Sequence, residues 1–248
     1  MVERRRLIVA SVVLGCGIAA LTSGKARAAT PWGGDDTGYI PATSARLKCV
    51  SGFSKNATKY SGAVIGCHIK QAAALLANKP VDEEACEGAA LTKAQAANAK
   101  LTGCPVCLNQ AAVMATALTQ LDSAANAAFF CAGSTPIGGD DAGKVPPDSA
   151  SFKCEAAIAK GVGKLSAAIV ACHGKYGAAK FANKAFDEEA CEAAAITKTT
   201  AGFNKLVAKG GCPVGTTALL PTFGPQTELQ IDSLNGNTWC SPSGAFID

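Results

Sequence analysis

The chain repeats itself, and that repeat limits the fold more than any other feature. At an offset of 105, Thr30-Pro31 matches Thr135-Pro136 and Gly33-Gly34-Asp35-Asp36 matches Gly138-Gly139-Asp140-Asp141. Lys48-Cys49 matches Lys153-Cys154, and Cys67-His68 matches Cys172-His173. Asp82-Glu83-Glu84-Ala85-Cys86-Glu87 matches Asp187-Glu188-Glu189-Ala190-Cys191-Glu192. A short insertion near Gly210-Gly211 then sets Cys104-Pro105-Val106 against Cys212-Pro213-Val214, and Gln120-Leu121-Asp122-Ser123 against Gln230-Ile231-Asp232-Ser233. A duplication of this kind makes each unit one supersecondary building block. The organisation read from it is residues 1–28 as a signal peptide, 29–131 as unit 1, 132–240 as unit 2 and 241–248 as a C-terminal tail.

Within a unit the apolar residues recur at helical spacing: Cys49, Phe53, Tyr60, Val64 and Cys67 in the first, Cys154, Ile158, Leu165, Ile169, Cys172 and Tyr176 in the second. Ser44 and Ser149 suit the start of this helix. A second helix is expected from Asp82 and Asp187 to about Leu101 and Leu206, its first-turn acids complementing the positive helix end and Cys-Pro closing it.

The cysteines turn each pair of helices into a hairpin. Cys49 to Cys67 and Cys86 to Cys104 are both 18 apart, which is about five turns, so each helix carries its two sulfurs on one face. Residues that face each other across an antiparallel pair have position numbers with a constant sum. It is 153 for both Cys67 with Cys86 and Cys49 with Cys104. The pairs predicted are therefore Cys49–Cys104 and Cys67–Cys86, with Cys154–Cys212 and Cys172–Cys191 in the second unit. The doubly cross-linked arrangement resembles the small twin-cysteine helical hairpins, at a longer spacing, and no function is carried across. The fold class expected is all-α, a tandem repeat of disulfide-stapled antiparallel helical hairpins with a short irregular or β-containing C-terminal tail.

The unit ends differ. Leu108 to about Leu121 reads as a third helix in unit 1. In unit 2, Leu220-Pro221 and Gly224-Pro225 are expected to break any such helix, leaving a loop and a short strand around Glu228 to Ile231. Cys107–Cys131 is the pairing favoured for the remaining sulfurs, with Cys240 as the odd thiol.

Location follows from the first residues and the cysteines. Glu3-Arg4-Arg5-Arg6, the apolar run Leu7 to Leu21 and Ala26-Arg27-Ala28 form a secretory signal. Lipidation at Cys16 is the alternative to cleavage near Ala28. Eleven cysteines in the mature chain fit an oxidising compartment, so the protein is expected to be secreted or periplasmic, without a membrane span in the mature chain. The chain has 23 basic and 19 acidic residues. Five basic residues and one acidic residue leave with the signal, so the mature chain is neutral. That neutrality gives no electrostatic case for nucleic acid.

Several features could carry chemistry. Cys104-Pro105-Val106-Cys107 has the spacing of a thiol–disulfide centre, giving Cys104 and Cys107 as a redox pair, although no βαβ pattern surrounds it. The two histidines, His68 and His173, each follow a cysteine. They lack the C-x-x-C-H of haem attachment, and the nearest cysteines are assigned to disulfides, so both are read as packed side chains. Asp35, Asp36, Asp140 and Asp141 could supply carboxylates to calcium, but the alternating EF-hand pattern is absent. The rows Lys48, Lys55, Lys59, Lys70 and Lys153, Lys160, Lys164, Lys175 could meet a small anionic ligand or a protein partner. No nucleophile–base–acid set, phosphate loop or metalloprotease helix is present. The reading is of a non-enzymatic structural or binding module needing no cofactor and no metal. The alternative is a redox or metal-binding protein using the Cys-x-x-Cys or the Cys-His pairs.

Overall fold

The computed structural model of the protein describes residues 30–239. Residues 1–28, expected to be a signal peptide, with Cys16, and Cys240 with the tail 241–248, lie outside the described residues. In chain order the elements are β1 (Thr30–Gly33), β2 (Asp36–Ile40), α1 (Ser44–Leu76), α2 (Glu83–Asn98), α3 (Gln110–Gln120), a π turn (Leu121–Ala125) and α4 (Asn126–Phe129). Then come β3 (Pro136–Gly138), β4 (Asp141–Lys144), α5 (Ser149–Phe181), α6 (Glu188–Val207) and α7 (Val214–Thr238). The described chain is helical apart from two small β-hairpins.

Local signals account for the helix starts. The Thr43 side chain accepts from the Arg46 N–H, and Asp148 accepts from the N–H groups of Ala150 and Ser151. Both caps fall one residue before Ser44 and Ser149: Thr43 and Asp148 have extended backbone, and Ser44 and Ser149 are already helical. Asp82 and Asp187 cap α2 and α6 through the N–H groups of Ala85 and Ala190.

Disulfides join Cys49 to Cys104, Cys67 to Cys86, Cys154 to Cys212 and Cys172 to Cys191. These are the four pairs named from the spacing. Because sulfurs in rising order on α1 meet sulfurs in falling order beyond it, α1 and α2 run in opposite directions, as do α5 and α6. The Cys107–Cys131 pairing is not formed: Cys107 is disulfide-bonded, but Cys131 is a free thiol. The reason is that the helix does not break at Asp122-Ser123. It passes through the π turn into α4, and a continuous rod carries Cys131 away from Cys107.

The prolines of the second unit do not break its last helix either. Pro221 and Pro225 both lie inside α7, which runs through Glu228 to Ile231 with no strand there. They are four residues apart and exposed, so the carbonyls they leave unpaired face solvent. The opposite side buries Leu220, Phe223, Gly224 and Thr227. Packing of that side overrides the local preference.

α1 and α5 pack against each other at the centre, each backed by its partner α2 or α6. One core gathers Ile65, Phe130, Ile158, Phe203 and Phe223, the other Trp32, Phe53, Tyr60, Val64 and Trp239. α5 is the one described helix long and apolar enough, by length and composition, to cross a membrane. It also buries Glu155 and His173 within the protein.

Each β-hairpin packs on a helix distant from it in the chain or preceding it, and not mainly on the helix that follows it. β2 packs on α7, and β4 packs on the π turn and α4. Trp32 packs at a tilt against Trp239 and Tyr176, while its counterpart Ile137 joins the core with Ile65 and Ile69.

Candidate metal centres

Each unit ends in a buried pocket built from the repeated polar residues. In the first, His68 comes from α1, Glu83 and Glu87 from α2, Asp122 from the π turn and Asp141 from β4. In the second, His173 comes from α5, Glu188 and Glu192 from α6, Asp232 from α7 and Asp36 from β2.

Helical spacing places most of these side chains. Glu83 and Glu87 are four apart and share one face of α2, and Glu188 and Glu192 do the same on α6. His68 and His173 adjoin the cysteines that bind α1 to α2 and α5 to α6, so each ring is held against the glutamates. The hairpins place the last donor. Gly33 pairs with Asp36 and Gly138 with Asp141, leaving the two-residue loops Gly34-Asp35 and Gly139-Asp140. All four of these glycines have positive φ, from 68° to 99°, as so tight a turn requires. Neighbouring residues then face opposite ways: Asp36 and Asp141 turn inward, Asp35 and Asp140 stay exposed.

The two pockets have nearly the same geometry. From His68 Nε2 the distances are 2.9 Å to Glu87, 3.2 Å to Asp141, 3.3 Å to Asp122 and 3.6 Å to Glu83. From His173 Nε2 they are 2.9 Å to Glu192, 3.2 Å to Asp232, 3.4 Å to Asp36 and 3.7 Å to Glu188. Both Nε2 atoms and one oxygen of each of the eight carboxylates are buried without a hydrogen-bond partner. Buried polar atoms are rarely left so. Here ten of them converge on two points.

Four carboxylates this close cannot all be charged in a buried space without a cation. Burial above all pushes Asp36 and Glu83 up to about 9; His173 pulls Asp36 the other way, and Glu87 and Asp141 raise Glu83 further. Burial likewise lifts Glu87 to about 7 and Asp122 to about 6. His173 goes to about 10: burial opposes its charge, but the close carboxylates of Asp232 and Glu192 and the charges of Asp36 and Glu188 outweigh it. Without a metal, the cluster holds protons.

The donors suit a metal ion. Donor–ion bonds of about 2.0–2.6 Å put adjacent donors about 2.9–3.7 Å apart, the span measured from each Nε2. Outer groups orient them. His173 Nδ1 is 3.0 Å from Asn235 Oδ1, and an N–H there leaves the lone pair on Nε2. Trp32 Nε1 donates to Glu188 Oε2 at 3.2 Å, and Tyr176 donates to the Trp32 carbonyl. Asn126 is fully buried four residues after Asp122, while Asn235 is three after Asp232. The π turn inserts one extra residue in unit 1, compensating this difference in spacing.

Of the residues named from sequence, the structure brings Asp141 into the pocket with His68 and Asp36 into the pocket with His173. Asp35 and Asp140 stand at the rim beside Glu189 and Glu84. Cys104 is bonded to Cys49 and not to Cys107, so the two do not form one redox pair. The cysteines of both Cys-His pairs are in disulfides, and only their histidines face the pockets. Lys55, Lys59, Lys160, Lys164 and Lys175 line an apolar groove of about 880 Å³ between α1 and α5, which Lys48, Lys70 and Lys153 do not line. Sequence reasoning read the histidines as packed and the D-E-E-A-C-E acids as helix caps, and gave Asp122 and Asp232 no role. Their signal was identity between the copies at polar positions.

The chain matches no protein-family model, no curated protein and no solved structure.

Proposed function

We propose that this is an exported metal-ion-binding protein built from two stapled helical hairpins, each holding one ion between one histidine and four carboxylates. The observation that carries the reading is the convergence of unpartnered buried donors, repeated at two places with matching distances. This is metal binding through carboxylates and imidazole, not through the Cys-x-x-Cys or the cysteines of the Cys-His pairs. Five protein donors nearly fill a coordination sphere, whereas catalytic metal sites keep a position open for substrate. That supports storage, delivery or structural use over catalysis. The disulfides fit the secreted or periplasmic location expected from the signal segment.

Inductively coupled plasma mass spectrometry on protein purified without chelator tests the reading. Two equivalents of metal per chain are expected, falling to one in His68→Ala or His173→Ala and to none in the double variant. Protein that is metal-free as purified, and takes up no Mn2+, Ca2+, Zn2+, Fe3+ or Tb3+ afterwards, contradicts it.

A further inference from the structure

We infer that the ion held at each centre is trivalent, a hard cation of the class of ferric iron or a lanthanide; this rests on the reading that the pockets hold metal. When all five donors of a pocket coordinate, four carboxylates contribute four negative charges and the imidazole contributes none. Among the described residues, the histidines are the only basic side chains within ion-pair distance of these eight carboxylates. A divalent ion therefore leaves two uncompensated charges in a space where His68 and His173 are 0% and 2% exposed. A trivalent ion leaves one. At low dielectric that difference is large.

Two further features point the same way. The rim pairs Glu84 with Asp140 and Asp35 with Glu189 sit within hydrogen-bonding range, and Glu83, Glu84 and Asp140 place donor atoms within 4.8 Å of one another. They add further carboxylate oxygens outside the first ring of donors. The donors are also hard: four oxygens and one imidazole nitrogen, with the adjoining cysteines in disulfides. Copper(I), which is selected by soft sulfur ligands, is disfavoured by such a set.

The chain carries its own reporter. The Trp32 ring lies 6.1 Å from the His173 ring and its N–H is bonded to Glu188, whereas Ile137 is its counterpart in unit 1. Indole excitation near 295 nm therefore sensitises Tb3+ at the second centre.

Tb3+ and Ca2+ have similar radii, so competition between them in the full chain isolates charge. The expected result is two Tb3+ per chain, with indole-sensitised emission from one. Neither Ca2+, Mn2+ nor Zn2+ at a thousandfold excess displaces Tb3+, while La3+ and ferric citrate both do. Trp32→Phe, which removes one indole and its bond to Glu188 while Trp239 remains beside it, lowers the emission from the second centre and leaves the ion at the first. Asp232→Asn, which removes one charge and keeps an oxygen, narrows the Tb3+-over-Ca2+ ratio at that centre at least tenfold. Displacement by any divalent ion at comparable concentration, or an unchanged ratio in Asp232→Asn, overturns the trivalent assignment and leaves metal binding standing. Failure of every ion to bind removes both.

Discussion

His173 enters its pocket with one ring nitrogen already committed. Its Nδ1 is paired with Asn235, whose amide also donates to the Thr37 carbonyl at 2.8 Å. The ring is thus fixed in rotation and tautomer before an ion arrives. Outer partners of this kind typically change metal affinity 10- to 100-fold. Asn235→Ala is therefore expected to weaken the second centre by about that factor and to leave the first unchanged. Isothermal titration separates the two steps, and equal weakening of both would contradict the assignment.

Among the elements, α7 shows how burial overrides a local preference. Proline in a helix interior costs about 3 kcal/mol relative to alanine, and α7 carries two. Because Pro221 is exposed and the buried side holds the helix, Pro221→Ala should raise stability by about 1–3 kcal/mol without affecting metal content. A chemical denaturation midpoint measures it, and a destabilised variant would mean that the proline has a structural role. The short disulfides act on function more directly. Cys67–Cys86 adjoins His68 and Glu87 in sequence, so replacing both cysteines by alanine should cost about 3 kcal/mol and weaken the first centre more than the second. Metal titration of the variant checks the difference.

Much of this level was legible in the sequence. Helical periodicity, aspartate caps and five-turn cysteine spacing are local signals, and α1, α2, α5 and α6 follow from them. The π turn, α7 and the use of Asp122 and Asp232 depend on what packs against them, and no local signal carried that. The placing of Asp36 with His173 and of Asp141 with His68 is a long-range fact of the same kind.

For the molecule as a whole, each pocket joins elements far apart in the chain. Asp36 comes before α1 and faces His173 of α5; Asp141 comes before α5 and faces His68 of α1. Metal should then stabilise the entire chain, and its removal should matter most at high pH. In the metal-free folded chain Asp36 and Glu83 titrate near 9, against 3.8 and 4.5 when unperturbed. Between those values the folded state binds more protons than the unfolded state, so stability falls as pH rises from about 4 to 9. His173, raised from 6.5 to about 10, adds stability that is complete below 6.5 and gone above 10. Both effects have the same sign. Thermal melts in chelator should show Tm falling from pH 5 to pH 9, and saturating metal should flatten or reverse the slope. A chelated protein as stable at pH 9 as at pH 5 would contradict the charge account.

The most direct test is anomalous diffraction from crystals soaked in Tb3+. Two peaks are predicted, one bonded to His68 Nε2 and the carboxylates of Glu83, Glu87, Asp122 and Asp141, the other to His173 Nε2 with Asp36, Glu188, Glu192 and Asp232. Peaks only at the exposed pairs Glu84 with Asp140 and Asp35 with Glu189, or no peak, would contradict two buried metal centres.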